Sequence, residues 1–169
     1  VNVDSGAKIF AAGIQLSSNS LISYSSVTVQ AAYALNITGK LNDVSFSSAA
    51  SASVALFIPG GSTNTITRGY FASSLSTAVY LGVNANFNTI SGSTMTSASP
   101  DNSGNVAVLT LTGASSNTIT ASVITANGQM RGLSLINASH GNTIDVSTIS
   151  NVIGGNNSCV YLSGSSSNT

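Results

Sequence analysis

Glutamate is absent from this 169-residue chain. The acids are Asp4, Asp43, Asp101 and Asp145, set against Lys8, Lys40, Arg68 and Arg131, so the net charge is zero and charged residues make up 5% of the sequence. An amphipathic helix needs Glu, Lys, Gln or Arg along its solvent face at helical spacing, and there are too few here to cover one. The same scarcity removes a charge-driven grip on nucleic acid or on anionic lipid. Cysteine occurs once, as Cys159, which leaves no partner for an internal disulfide, and the lone His140 leaves no Cys/His cluster for zinc. Tryptophan is missing, proline occurs twice, and no run of apolar residues is long enough to cross a bilayer as a helix. Stability must come from packing and backbone hydrogen bonds, and no metal or cofactor is expected.

What the chain has instead is small and polar. Counting gives 33 Ser, 17 Thr and 18 Asn against 42% hydrophobic residues, enough apolar side chains for one core. The tripeptide Asn-Thr-Ile recurs at residues 64–66, 88–90, 117–119 and 142–144, and Asn168-Thr169 begins another. Weaker copies at Asn42-Asp43-Val44 and Asn19-Ser20-Leu21 extend the series, giving Asn19, Asn42, Asn64, Asn88, Asn117, Asn142 and Asn168 at spacings of 22–29 residues. An apolar-x-apolar triplet precedes each Asn: Ile14-Gln15-Leu16, Leu35-Asn36-Ile37, Leu56-Phe57-Ile58, Leu81-Gly82-Val83, Leu109-Thr110-Leu111, Leu133-Ser134-Leu135 and Val160-Tyr161-Leu162.

Each period holds three short alternating or β-branched segments separated by turns. Such a repeat cannot bury its own apolar side and must stack on its neighbours. Three strands per turn of chain, paired in parallel with the coils above and below, make an all-β, right-handed parallel β-helix, the hand following from the preference of parallel crossovers. The expectation is a single β-solenoid segment over residues 1–169, about seven coils of 22–29 residues. Six steps at about 4.8 Å give a rod on the order of 29 Å. The repeated Asn is placed at a corner, in left-handed geometry, its amide bonded to the Asn one coil away in an internal ladder. Length differences are assigned to the corner before each triplet, short at Ala72 to Ser76 and long at Thr96 to Asn105.

The succession of apolar triplet, Ser/Asn-rich corner, Asn-Thr-Ile, Ser-x-Ile and Gly/Asn turn resembles the right-handed parallel β-helix repeats of the NosD-like, pectate-lyase-like superfamily. It is similar, too, to the Ser/Thr/Asn-rich repeats of secreted or surface-displayed bacterial proteins. The resemblance covers essentially the whole chain and implies an extracellular location. It implies the architecture more than an activity, because that superfamily includes polysaccharide lyases and hydrolases, phage tail spikes and adhesin passengers.

Polysaccharide-degrading β-helices that this chain resembles use clustered carboxylates with Arg or Lys. Here Asp43 and Asp145 lie four coils apart, on the order of 20 Å, and Asp101 reads as a turn residue. Arg68 and Arg131 read as solubility or edge-blocking residues, His140 as part of a turn, and Cys159 as a small strand residue before a triplet. No Ser stands in a nucleophile elbow, and Pro59-Gly60-Gly61 lacks the Lys of a phosphate loop. Sequons for glycosylation begin at Asn36, Asn137 and Asn156.

The residues beside each inward Ile form a Thr-x-Thr-like array, Thr65/Thr67, Thr89/Ser91, Thr118/Thr120 and Thr143/Asp145, that resembles the hydroxyl-methyl ladders of ice-binding β-solenoids. The triplet face, read as Gln15, Asn36, Phe57, Gly82, Thr110, Ser134 and Tyr161, suits weak contact with glycan or protein. The reading is a non-catalytic structural, adhesive or spacer module of a secreted or cell-surface protein. The alternatives are a polysaccharide-active enzyme segment and an ice-binding solenoid. Expected partners are carbohydrate or a cell-surface protein, with no nucleic acid and no membrane insertion. Neither Val1 to Phe10 nor Ser165 to Thr169 reads as a cap, so the expectation is continuation in a longer chain or end-to-end stacking of copies.

Overall fold

Three-residue strands gain too little from their own turn to stand alone, so the fold depends on how each coil meets the next. The structure, a computed structural model, describes residues 2–3, 7–10, 13–101, 105–152 and 158–169. Every regular element among them is a β-strand of two to six residues. They form three sheets of seven, six and eight strands wrapped as a β-solenoid of about six turns, each coil giving one strand to each sheet.

One sheet holds the triplets, from Gly13–Leu16 through Leu35–Ile37, Leu56–Ile58, Val79–Leu81, Ala107–Thr112 and Arg131–Ile136 to Val160–Ser163. The Asn-Thr-Ile sheet runs through Leu21–Ser23, Asp43–Ser45, Thr65–Thr67, Thr89–Ser91, Thr118–Thr120 and Thr143–Asp145, all in parallel register. The third sheet stacks Ser26–Val29, Ser48–Ser51, Tyr70–Ser73, Thr94–Ser97, Val123–Ala126 and Thr148–Asn151.

Inward residues line up as columns because a parallel register superposes like positions. Ile22, Val44, Ile66, Ile90 and Ile119 form one column, each at most 1% exposed. The triplet sheet supplies two more, and the third sheet places Val27, Ala49, Phe71, Met95, Ile124 and Ile149 against them. The corner between the Asn-Thr-Ile sheet and the third sheet has two residues in each of the six coils, from Tyr24-Ser25 to Val146-Ser147. The other two corners absorb the differences in coil length.

Three sequence expectations are corrected. The fourth triplet is Val79-Tyr80-Leu81 and not Leu81-Gly82-Val83: Val79 and Leu81 are fully buried while Val83 is 59% exposed, so Tyr80 and not Gly82 faces outward. Both readings are apolar-x-apolar, and pairing with Leu56–Ile58 decides between them. In the first coil Ile22 is the inward residue and Leu21 faces out, one place later than the copy Asn19-Ser20-Leu21 implied. The first coil is also not bare: Asn2–Val3 pairs antiparallel with Leu21–Ser23, and Ala7–Phe10 pairs antiparallel with Gly13–Leu16, so two of its three strand edges are occupied. Asp4 and the sequon residues Asn156 and Asn157 lie outside the described residues.

Coil three departs from its neighbours. Phe71, fully buried, fills an inward place held by Ala49 and Met95 in the flanking coils, and Gly69 replaces the Ser found at the second corner elsewhere. A Cβ on Gly69 would come within 2.5 Å of Phe71 Cε2, so the ring and the glycine require each other. Gly69→Ser is expected to cost about 2 kcal/mol through overpacking, read as a lower denaturation midpoint, and adding Phe71→Val should return most of the loss. Equal stability of Gly69→Ser and the parent chain would refute this coupling.

Candidate functional site

The chemistry of an asparagine side chain, one acceptor oxygen and two donor hydrogens, matches what a stacked corner needs. Asn42, Asn64, Asn88, Asn117, Asn142 and Asn168 stand in one column. Each amide Nδ2 donates to Oδ1 of the next Asn, at 2.8, 2.9, 3.0, 3.0 and 3.0 Å from Asn42 onward. The same Oδ1 accepts the backbone N–H of the preceding ladder Asn at 2.9–3.0 Å. The second Nδ2 hydrogen reaches back to a corner carbonyl of the preceding coil, as from Asn88 to Gly61 at 2.9 Å and from Asn117 to Ala85 at 2.8 Å. Asn42, Asn64, Asn88, Asn117 and Asn142 are buried, and every side-chain atom of these amides has a partner.

Asn19 is not in this ladder. Ser20 holds the first place, 2% exposed, its N–H donating to Asn42 Oδ1 at 2.9 Å. Asn19 occupies the residue before, at φ 53°. That preceding position carries left-handed geometry throughout, in Asn19, Leu41, Thr63, Phe87, Ser116, Gly141 and Ser167, so the strain sits one residue before the ladder and not on it. An Asn suits either place, the first by its conformational tolerance and the second by its amide, and the sequence alone does not separate the two roles.

Two serine seams fasten the other corners. At the second, Ser25 N–H donates to Ser47 Oγ, Gly69 N–H to Ser93 Oγ, Ser93 N–H to Ser122 Oγ and Ser122 N–H to Ser147 Oγ, at 3.0–3.2 Å. At the third, the inward hydroxyls of Ser51, Ser73 and Ser97 donate to Ala32, Ser53 and Ser76 carbonyls of the preceding coil, each at 2.5 Å. An excess of Ser in the sequence hides these columns. The signal that finds the second-corner seam is a Ser five residues after the ladder place and three after the inward one, replaced by Gly69 in one coil; Ser51, Ser73 and Ser97 of the third-corner seam stand nine after the ladder place.

Thr65, Thr89, Thr118 and Thr143 form one outward column of the Asn-Thr-Ile sheet, and Thr67, Ser91, Thr120 and Asp145 the other. Leu21 and Asp43 precede the first column, Ser23 and Ser45 the second, so the uniform hydroxyl patch spans the middle coils. Asp43 and Asp145 sit in different columns four coil steps apart, on the order of 19 Å at sheet spacing. His140 Nδ1 lies 2.9 Å from Ser166 Oγ, but it also accepts the Ser166 N–H at 3.0 Å, and both residues are exposed on a convex corner. Cys159 is half-buried, its thiol directed at the Ile149 carbonyl. Arg131 lies over the Tyr161 ring at 3.4 Å, and Asn36 Oδ1 is buried without a partner.

The triplet face is more aromatic than the sequence register implied. Phe57 is flanked by Tyr33 at 4.0 Å and by Tyr80 at 5.5 Å between ring centroids. No protein-family model, curated protein or solved structure matches this chain.

The ladder is directional, since each Oδ1 serves the coil before it. Asn88→Ala should therefore deprive Asn64 of acceptors for its N–H and Nδ2, and leave Asn117 bonded to Asn142. The expected outcome is a loss of at least about 2 kcal/mol for the stranded donors, with amide exchange accelerated at residue 64 and slow at residue 117. Symmetric acceleration on both sides would contradict the directional scheme.

Proposed function

We propose that this chain is a non-catalytic structural, adhesive or spacer module of a secreted or cell-surface protein, of the right-handed parallel β-helix kind represented by NosD-like and pectate-lyase-like repeats. The observation that supports it best is where the polar side chains go. Asn42 to Asn168 and the two serine seams bond coil to coil, and the outward Thr and Ser columns give a neutral, hydrated surface. Such a surface stays solvated without Lys and Glu, while the fastened corners leave proteases little backbone to engage. The aromatic group Tyr33, Phe57 and Tyr80 on the triplet face suits contact with sugar rings or a protein surface. Incubation with acidic and neutral polysaccharides is expected to release no new reducing ends and no unsaturated product. Cleavage that disappears in Asp43→Asn or Asp145→Asn would overturn the reading in favour of an enzyme segment.

Ice binding is the second reading, favoured by the in-register hydroxyl columns Thr65–Thr89–Thr118–Thr143 and Thr67–Ser91–Thr120. Asp43, Leu21 and Asp145 interrupt the array at its ends, which leaves it below the spacer reading. Thermal hysteresis should be absent at millimolar protein, and a hysteresis abolished by Thr118→Tyr would reverse the order of the two.

A further inference from the structure

The residue that opens the two-residue second corner takes left-handed φ in each of six coils: Tyr24, Phe46, Arg68, Gly92, Ala121 and Val146. Glycine meets that geometry at least cost, and Gly92 shows that the corner accepts it. Three consecutive coils nevertheless place Tyr24, Phe46 and Arg68 there, at φ 47°, 48° and 52°, where bulky side chains are unfavourable. Their side chains do not repay the strain by entering the core: Tyr24 is 78% and Phe46 42% exposed, and Arg68 is exposed too. They form a rib outside it. The Tyr24 and Phe46 rings lie 4.8 Å apart at an interplanar angle of 4°, and Arg68 Cζ lies 4.9 Å from the Phe46 centroid on the next coil.

Beyond Arg68 the rib breaks at Gly92. The missing side chain contributes to an open notch of about 420 Å³ lined by Phe46, Thr67, Arg68, Ser91 and Gly92. A Cβ at position 92 would stand 3.5 Å from Arg68 Cγ, so a larger residue would fill the notch along the Arg stem. Among the described residues no carboxylate is paired with Arg68. A guanidinium held against a ring keeps its planar donor fork for a ligand, and its preferred partner is a carboxylate taken in bidentate fashion.

We propose that this notch binds the carboxylate of an acidic sugar within a glycan chain. Arg68 takes the carboxylate, Thr67 and Ser91 offer hydroxyls to the sugar hydroxyls, and the Phe46 edge meets the C–H surface of the ring. The notch exceeds what a free carboxylate needs and is open, so a chain can pass through it. The proposal rests on the reading of this solenoid as a contact module and extends it to one ligand class and one place.

The test compares three oligosaccharides on the same β-1,4-glucan backbone by isothermal titration: neutral cello-oligosaccharide, its C6-carboxylate form and its C6-sulfate form. The carboxylate form is expected to bind at least tenfold more tightly than the neutral one, and more tightly than the sulfate. Arg68→Gln should erase that preference, Arg68→Lys should reduce it at least threefold, and Gly92→Asn, which keeps left-handed geometry, should block the notch. A preference for sulfate would overturn the carboxylate assignment, and so would a preference that survives Arg68→Gln. Binding of the neutral chain alone, unaffected by Arg68→Gln, would refute the acidic-sugar site while leaving glycan contact in place. Absence of binding by all three would refute the site and leave the spacer reading to the polysaccharide-cleavage assay. Circular dichroism and thermal midpoints close to the parent chain confirm that each variant is folded.

Discussion

A carbonyl oxygen on the Asn of one coil, accepting both a backbone N–H and a side-chain amide from the coil before, is the contact on which the rest of this solenoid depends. It fixes which residue of each coil lies above which. Aspartate lacks the donors, and serine lacks the reach to satisfy the column and the corner carbonyl at once. Because the amides are buried, each unpaired group would carry a desolvation cost, and a chain of paired amides polarises along its length. Once the column is set, the inward Ile and Val two residues later fall into a column of their own, and the sheets follow.

The same logic explains how a chain with almost no charge stays folded and hydrated. Serine is plentiful because two of three corners are closed by hydroxyls acting at short range, and only the last coil has a longer side chain in that place, Asn151, bonded to the Met130 carbonyl. Threonine takes the outward strand positions, where its branched carbon favours the extended backbone and its hydroxyl meets water. Apolar, Asn, Ser and Thr columns thus divide the coil among themselves according to the space and hydration at each place.

The period and the parallel architecture were legible because Asn-Thr-Ile repeats with little change and each copy is followed by an apolar residue at a fixed distance. The outward Thr columns were legible for the same reason, being adjacent in sequence to that marker. Register failed where two alignments satisfy one pattern: Val79, Leu81 and Val83 offer two overlapping triplets, and Asn19 beside Ser20 offers two corner residues. Only pairing with the neighbouring coil distinguishes them, and that is a contact between residues more than twenty apart. The left-handed geometry of the second corner was invisible because Tyr24, Phe46, Arg68, Ala121 and Val146 open it in five of six coils, residues that carry no turn signal. The antiparallel strands at Asn2–Val3 and Ala7–Phe10 lie outside the repeat, so periodicity says nothing of them.

A molecule made of near-identical coils faces a hazard that an ordinary domain does not, because each coil could join the wrong neighbour with nearly the same hydrogen bonds. Phe71, with Gly69 two residues before it in the same coil and Ala49 alongside, is the one aromatic residue among the inward places of the third sheet. Paired one coil out of order, the ring would lie against Val27 in place of Ala49 or against Ile124 in place of Met95. The coil that holds it is told apart from the others by side-chain volume, in a stack whose backbone bonds repeat from turn to turn.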